Sequence, residues 1–201
     1  MLEVRSVAAL RGDHLVFADL SFRLEAGAAL VLTGRNGSGK TTLLRLIAGL
    51  MPCAAGEVLW AGEDALADLS GHGLRIAYLG HQDALKLGLT ATENLAVWAR
   101  VRKDARAAAI ERALGAVGLQ DLAHLPVRML SAGQRRRVAI ARLLLSGAAL
   151  WLLDEPTTAL DAASVARLGE LTAAHRAAGG MVIAATHLDL PLAGAAEFSL
   201  S

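Results

Sequence analysis

Two textures alternate along the chain. Short uninterrupted apolar runs stand between glycine and acidic residues, and longer segments repeat their apolar positions every three or four residues. Leu2–Val7 and Leu20–Leu24 read as short strands with polar punctuation between them. Ala28–Thr33 is apolar and stops at Gly34, the pattern of a buried strand. Thr41–Leu50 follows, with Leu43, Leu44, Ile47 and Leu50 at helical spacing, and Pro52 and Gly56 close that unit. Glu57–Trp60 and Arg75–Leu79 add two strands.

From about Leu89 to Leu130 the texture is helical. Glu93–Arg102 and Asp104–Val117 have helical period and composition, and no strand interrupts them, which predicts a helical insertion in an α/β chain. A helix follows Ala132 and reaches about Ser146. Ala149–Leu153 is a fully apolar strand ending in Asp154 and Glu155. Ala162–Ala178 is helical, and Met181–Thr186 is the last buried strand. Strands alternating with helices predict a mostly parallel sheet.

The 201 residues suit one compact domain over 1–201. Hydrophobic residues are 54% of the chain and the mean hydropathy is +0.44, values that raise the possibility of a membrane protein. The longest run without Asp, Glu, Lys or Arg is Ala177–Leu188. That is about a dozen residues, short of the ~18–20 of a membrane-spanning helix. Alanine enrichment supplies much of the apolar content. Aromatics are only 3%, so the core is expected to be aliphatic. The net charge of +1 gives no electrostatic footprint for nucleic acid. One cysteine, Cys53, excludes an internal disulfide and is read as a small buried hydrophobe. The opening MLEVRSVAAL carries Glu3 early and does not read as a signal peptide, so a cytoplasmic address is expected.

Gly34-Arg35-Asn36-Gly37-Ser38-Gly39-Lys40-Thr41 fits the phosphate-binding pattern G-x-x-x-x-G-K-[ST]. Its glycines let backbone N–H groups converge on phosphates, and the following helix presents its positive end to them. Lys40 can reach the β- and γ-phosphates and Thr41 offers a hydroxyl to Mg²⁺. The loop follows a predicted strand and opens a predicted helix, as that chemistry requires. Asp154 suits coordination of Mg²⁺, directly or through water, and Glu155 can polarise a water for attack on a γ-phosphate. Ser131, followed by Ala132, Gly133 and Gln134, offers a hydroxyl and backbone N–H groups at a helix start, a second anion site.

The phosphate loop, Leu130-Ser131-Ala132-Gly133-Gln134 and Leu152-Leu153-Asp154-Glu155-Pro156-Thr157-Thr158-Ala159-Leu160-Asp161, in this order, resemble the ATP-binding cassette (ABC) ATPases. The resemblance covers nearly the whole chain. It implies a P-loop NTPase fold of the ABC type: a mostly parallel sheet core, an antiparallel β subdomain and a helical insertion at about 89–130. ATP and Mg²⁺ are the implied ligands, with Thr42 joining Gly34–Thr41 in the nucleotide site. The family's signature is usually LSGGQ, so Ala132 departs by one methyl. In the family this signature closes over ATP held by the phosphate loop of another subunit, which implies a dimer of cassettes in the ATP-bound state.

Other elements carry over singly. Gln82 matches the Q-loop glutamine, a Mg²⁺ and water contact at the transporter-facing hinge. Asp161 matches the D-loop aspartate that acts across the dimer, and it can also cap the helix from Ala162. His187 matches the switch histidine at the γ-phosphate. Many members stack adenine on an aromatic residue before the second strand; here Arg11 stands at about that place, with Phe17 as an alternative.

Among minimal cassettes the chain is most similar to the CcmA, or haem exporter, family of ATP-binding subunits of cytochrome c biogenesis transporters. The residues carrying this are Asn36 followed by Thr41-Thr42-Leu43-Leu44-Arg45, Ala55–Trp60, Gly80-His81-Gln82, Leu89–Leu95, and the signature with Arg136-Arg137-Val138-Ala139. The implied partners are integral membrane transporter subunits of the cytochrome c biogenesis permease type, with no nucleic acid. The implied address is peripheral, on the cytoplasmic face of the inner membrane. The rival functions are the ATPase of another small exporter, a soluble ABC-type ATPase acting on nucleic acid or ribosomes, and a non-enzymatic assembly subunit. Arg135-Arg136-Arg137 is expected to be a solvated helix face complementing bound phosphate, and His81 a loop residue beside Gln82.

Overall fold

The computed structural model describes residues 1–101, 107–187 and 190–200. Two long strands, β1 (Leu2–Arg11) and β2 (His14–Leu24), form an antiparallel hairpin. Strand β3 (Ala29–Thr33) leads through a glycine-rich loop into helix α1 (Lys40–Ile47). Strands β4 (Ala55–Trp60) and β5 (Glu63–Asp64) then complete a four-stranded antiparallel sheet of order β2-β1-β4-β5. Next come α2 (Leu69–Arg75), β6 (Ile76–Leu79), α3 (Ala91–Val101) and α4 (Ala107–Ala116). Helix α5 (Ala132–Leu145), β7 (Leu150–Asp154), α6 (Ala162–Ala177), β8 (Met181–Ala185) and β9 (Ala196–Ser199) finish the order.

Strands β6, β7, β8, β3 and β9 form a second sheet in that order, and all its pairings are parallel. Strands β7 and β8 are buried at every position, which explains their uninterrupted apolar runs. The two-residue period of a strand divides their side chains between two cores. Leu150, Leu152, Met181, Ile183 and Ala185 join one core with Leu43, Leu44, Leu46 and Ile47 of α1 and with Val4 and Val58 of the antiparallel sheet. Trp151, Leu153, Val182 and Ala184 join the other, with Leu95 of α3, Leu114 of α4 and Val138 of α5. The core is aliphatic apart from Phe17 and Trp151, and Trp151 stacks on His175 at 4.0 Å between ring centroids.

Several boundaries differ from the pattern reading. Helix α1 stops at Ile47 rather than Leu50. Gly49 turns left-handed (φ 68°), its N–H bonds Leu46 O, and Leu50 N–H bonds Arg45 O at 2.9 Å, which together cap the helix end. Gly56 lies inside β4 rather than closing the unit before it. Its positive φ, and the carbonyls of Arg5 and Ser6 that any Cβ there would strike, mark an irregularity where the β1–β4 register shifts. Helix α2 is absent from the pattern reading because Gly71 and Gly73 dilute its period; the Asp68 carboxylate starts it by accepting from Gly71 N–H at 3.0 Å. His72 anchors it, its Nε2 lying 2.7 Å from Ile47 O; a carbonyl only accepts, so Nε2 carries the hydrogen. The mostly exposed β9 extends the parallel sheet beyond the last buried strand. The boundaries read at Arg102 and Asp104 lie outside the described residues. Cys53 is half-buried rather than buried, and its thiol donates to Ala55 O at 2.8 Å.

Leu152 has no solvent exposure and Leu15 is 63% exposed. Leu152→Ala is expected to cost about 2–5 kcal/mol and Leu15→Thr no more than about 0.5 kcal/mol, measured by urea unfolding. Equal losses would contradict the placement of the core.

Candidate functional site

The loop from Gly34 to Gly39 joins β3 to α1 and carries three left-handed glycines: Gly34 (φ 138°), Gly37 (φ 87°) and Gly39 (φ 98°). Two of them also lack room for a side chain. A Cβ on Gly34 would strike Leu200 O, and one on Gly39 would lie 2.8 Å from Val16 Cγ1 and 2.9 Å from Phe17 Cδ1. The β1–β2 hairpin thus braces the loop from one side and the C-terminal segment from the other. Arg35, Asn36 and Gly37 are exposed at the loop tip. Lys40 is buried, and its Nζ donates to Gly34 O at 2.8 Å and Arg35 O at 3.0 Å. Ser38 Oγ is buried without a hydrogen-bond partner, an unsatisfied group in a cradle of backbone N–H donors. Thr41 and Thr42 sit in the first turn of α1, both half-buried.

Strand β7 delivers Asp154 to the same place. Asp154 is 2% exposed, and each carboxylate oxygen has a donor from another element. Thr41 Oγ1 donates to Oδ1 at 2.9 Å, and the Tyr78 hydroxyl donates to Oδ2 at 3.1 Å. Burial, together with the Asp154 charge, raises the Tyr78 pKa, which keeps its phenol a proton donor. Tyr78 does not stand out as a site residue in the sequence. Its signal was faint: the chain's single tyrosine, on the strand leading to Gln82.

Glu155 turns left-handed (φ 46°) just past the strand, with its N–H on Ala185 O at 2.8 Å. This turn brings its carboxylate to His187: His187 N–H lies 3.4 Å from Oε2, and His187 Nε2 lies 3.6 Å from Oε1. Lys40, Thr41, Asp154, Glu155 and His187 therefore gather at the C-terminal edge of the parallel sheet, where open α/β sheets hold ligands. The loop after β6 carries Gln82, exposed, at that edge. His81 is also exposed, and among the described residues no group of His, Cys, Asp and Glu side chains could by itself enclose a metal. The hard oxygens of Thr41 and Asp154 instead suit a Mg²⁺ that keeps phosphate and water among its ligands.

The basic stretch is not the solvated face its sequence implies. Arg136 is buried, and its guanidinium reaches Gly80 O, Asp83, Asp154 O, Glu155 O and Pro156 O. Arg135 donates to Leu130 O, and Arg137 to Val117 O and Gly118 O. Helical periodicity cannot reveal the role of Arg136, because its acceptors lie on segments distant in sequence.

Ser131 caps α5 and accepts from Gln134 N–H, while the Gln134 side chain accepts from Ser131 N–H. Ala132 is exposed and its backbone is not left-handed. Gly133 differs: a Cβ there would lie 2.6 Å from Ala159 O. The absence of a side chain at Gly133 thus lets residues 131–134 approach the segment leading to Asp161 closely. Asp161 caps α6, and hydrogen bonds from Ser164 hold its pKa below the ordinary carboxylate range. Among the described residues no hydrogen bond joins 131–134 to the phosphate loop. Arg11 is exposed at the hairpin opposite His14, whereas the Phe17 ring is packed on Gly39. A cavity of about 670 Å³ opens beside the site, lined by Leu50, Tyr78, Gln82, Trp98 and Arg142 among others. The Arg142 guanidinium lies 4.9 Å from the centre of the Trp98 ring.

The chain matches the ABC transporter family over residues 17–158. It is 53% identical over 191 residues to the cytochrome c biogenesis ATP-binding export protein CcmA of Rhodospirillum rubrum, covering 95% of this chain and 82% of that one. It is 50% identical over 199 residues to the protein of the same name in Paramagnetospirillum magneticum, covering 98% and 92%. Among solved structures it resembles a dimeric ATP-binding cassette in a post-hydrolysis state bound to ADP and Pi, with TM-score 0.81, 25% identity and coverage of 94% and 88%.

The two small signature residues should respond differently to substitution. Gly133→Ala is expected to destabilise the chain by about 1–3 kcal/mol through the clash with Ala159 O. Ala132→Gly should cost no more than about 1 kcal/mol, from helix propensity alone. Denaturant unfolding of both variants checks this.

Proposed function

Because the chain belongs to the ABC transporter family, as an ATP-binding subunit of the CcmA kind, we propose that it hydrolyses ATP to drive a membrane transporter for cytochrome c biogenesis, in haem export or release. The observation that carries the catalytic part is the convergence of Glu155 and His187 beside the Thr41–Asp154 pair and the glycine cradle.

In this reading the N–H groups of residues 34–42 and the orphaned Ser38 hydroxyl receive the phosphates of ATP. Lys40 leaves the carbonyls of Gly34 and Arg35 and turns to the β- and γ-oxygens. A Mg²⁺ ion held by Thr41 and Asp154, with Gln82 beside it, would neutralise charge on those oxygens. Glu155 accepts the proton of the attacking water, and His187 holds the γ-phosphate and the Glu155 carboxylate in line. Arg11 is the residue offered to the base. Ser131, Ala132, Gly133 and Gln134 close over the ATP of a second copy, with Asp161 at the seam. The ATP-bound state is then a dimer of cassettes, and the whole of 1–201 acts as a single cassette with its helical insertion at about 89–130.

Among the described residues no helix is long and apolar enough to cross a membrane. Force therefore passes to integral membrane subunits, which we place on the cytoplasmic face of the inner membrane. The cavity between Trp98 and Gln82 lies where closure of the site would be felt by such a partner.

Glu155→Gln is expected to keep ATP affinity within about threefold, to lower turnover by about 10²–10⁴-fold, and to elute as a dimer with Mg·ATP in gel filtration. Hydrolysis by this variant at the wild-type rate would remove Glu155 from its role. Purification of the tagged chain from membranes is expected to bring down integral membrane subunits whose loss blocks cytochrome c maturation. Recovery of ribosomes or nucleic acid in their place would contradict the proposal.

A further inference from the structure

We propose that Arg136 is a positioning residue for hydrolysis, holding the Glu155 turn and the Gln82 loop in register with helix α5. The proposal rests on the reading of Glu155 as the group that activates water.

A guanidinium has five N–H donors in a fixed fork, and Arg136 has an acceptor for each. Its Nε donates to Pro156 O at 3.3 Å. Its Nη2 donates to Glu155 O at 2.7 Å and Asp154 O at 3.0 Å. Its Nη1 donates to Gly80 O at 2.8 Å and Asp83 Oδ1 at 3.1 Å. Three acceptors are thus consecutive carbonyls of the segment that leaves β7. The other two belong to the loop that carries Gln82.

The middle carbonyl is that of Glu155, whose left-handed backbone is unfavourable for a side chain of this size. Two fixed points flank the turn. Glu155 N–H is held by Ala185 O, on the strand that leads to His187, and Glu155 O is held by Arg136. Between them they set the direction of the carboxylate. The side chain of Arg136 is 4% exposed, and the ion pair within its reach is Asp83, itself 24% exposed. A buried guanidinium with a full complement of acceptors is a rigid joint, because losing any one acceptor strands a charged donor.

The joint has a consequence for coupling. Arg136 sits one turn into α5, the helix whose start is Ser131–Gln134. A shift of that helix start cannot occur without moving Glu155 O and Gly80 O together. Contact at residues 131–134 is thereby converted into placement of Glu155 and of the Gln82 loop. Lysine at 136 keeps the charge but offers three donors from one point, too few to span carbonyls on both segments.

The test is a double-mutant cycle on the full chain, with kcat, KM for ATP, affinity for a fluorescent ATP analogue, and melting temperature as readouts. Arg136→Lys is expected to lower kcat by about 10- to 100-fold with KM and nucleotide affinity within about threefold. In the Glu155→Gln background the same substitution should lower the residual turnover by a severalfold smaller factor, because the carboxylate it positions is already gone and only the Gln82 loop is left to be disturbed. Asp83→Asn keeps an acceptor for Nη1 at a loop residue and removes its charge. It is expected to show the same background dependence with a several-fold fall in kcat.

Wild-type kcat in Arg136→Lys would overturn the proposal. So would equal losses in both backgrounds, or a parallel loss of nucleotide affinity and melting temperature in both variants. Wild-type turnover by Glu155→Gln alone would instead overturn the reading of Glu155 on which the proposal rests.

Discussion

A carboxylate placed at the end of a strand buried on both faces must find a donor for each oxygen, and the satisfaction of Asp154 organises this molecule. One oxygen takes the hydroxyl of Thr41, which fixes the first turn of α1 and with it the end of the glycine loop. The other takes the hydroxyl of Tyr78, which fixes the end of β6 and the start of the loop that carries Gln82. Segments far apart in sequence are thereby held around one group. The next residue, Glu155, leaves the strand in a left-handed turn whose N–H and C=O are both claimed by neighbours.

The rest of the fold supports that arrangement mechanically. The parallel sheet has a core on each face, so β7 and β8 can shift only by disturbing both. The antiparallel hairpin lays Val16 and Phe17 against Gly39, which turns the β1–β2 sheet into a brace for the phosphate loop. Helix α5 reaches the centre from the opposite side through one guanidinium. The site is therefore rigid where chemistry needs position, and it is joined to a helix start that lies exposed.

Much of this was legible in the sequence, for physical reasons that differ by element. The central strands announced themselves because double burial demands unbroken apolar runs, as in Leu150–Leu153. The glycine loop was legible because Gly34, Gly37 and Gly39 occupy backbone conformations that other residues avoid. Helix α2 and strand β9 were not, since one is diluted by glycine and the other is mostly exposed and lacks an apolar pattern. The burial of Arg136 is not legible, because a triple arginine at a helix start has the same composition whether it faces water or carbonyls. Tyr78 is not legible because a single phenol carries no spacing signal; only the pairing of Tyr78 with Leu152 across β6 and β7 brings it to the end of the strand carrying Asp154. Ala132 departs by one methyl from the usual signature at an exposed position, whereas its neighbour Gly133 lies against Ala159 O.

The high apolar content belongs to these two cores and to alanine-rich helices, and among the described residues no helix is long and apolar enough to cross a bilayer. The chemistry of the chain is centred on the site around Asp154. The most direct measurement of that site is Mn²⁺ electron paramagnetic resonance of the ATP complex, comparing the wild-type chain with a Thr41→Val, Asp154→Asn variant. The expected result is phosphorus hyperfine coupling in the wild type and a loss of about tenfold or more in Mn²⁺ affinity in the variant. Equal affinity and equal coupling in both would contradict a single Mg·ATP site built on Thr41 and Asp154.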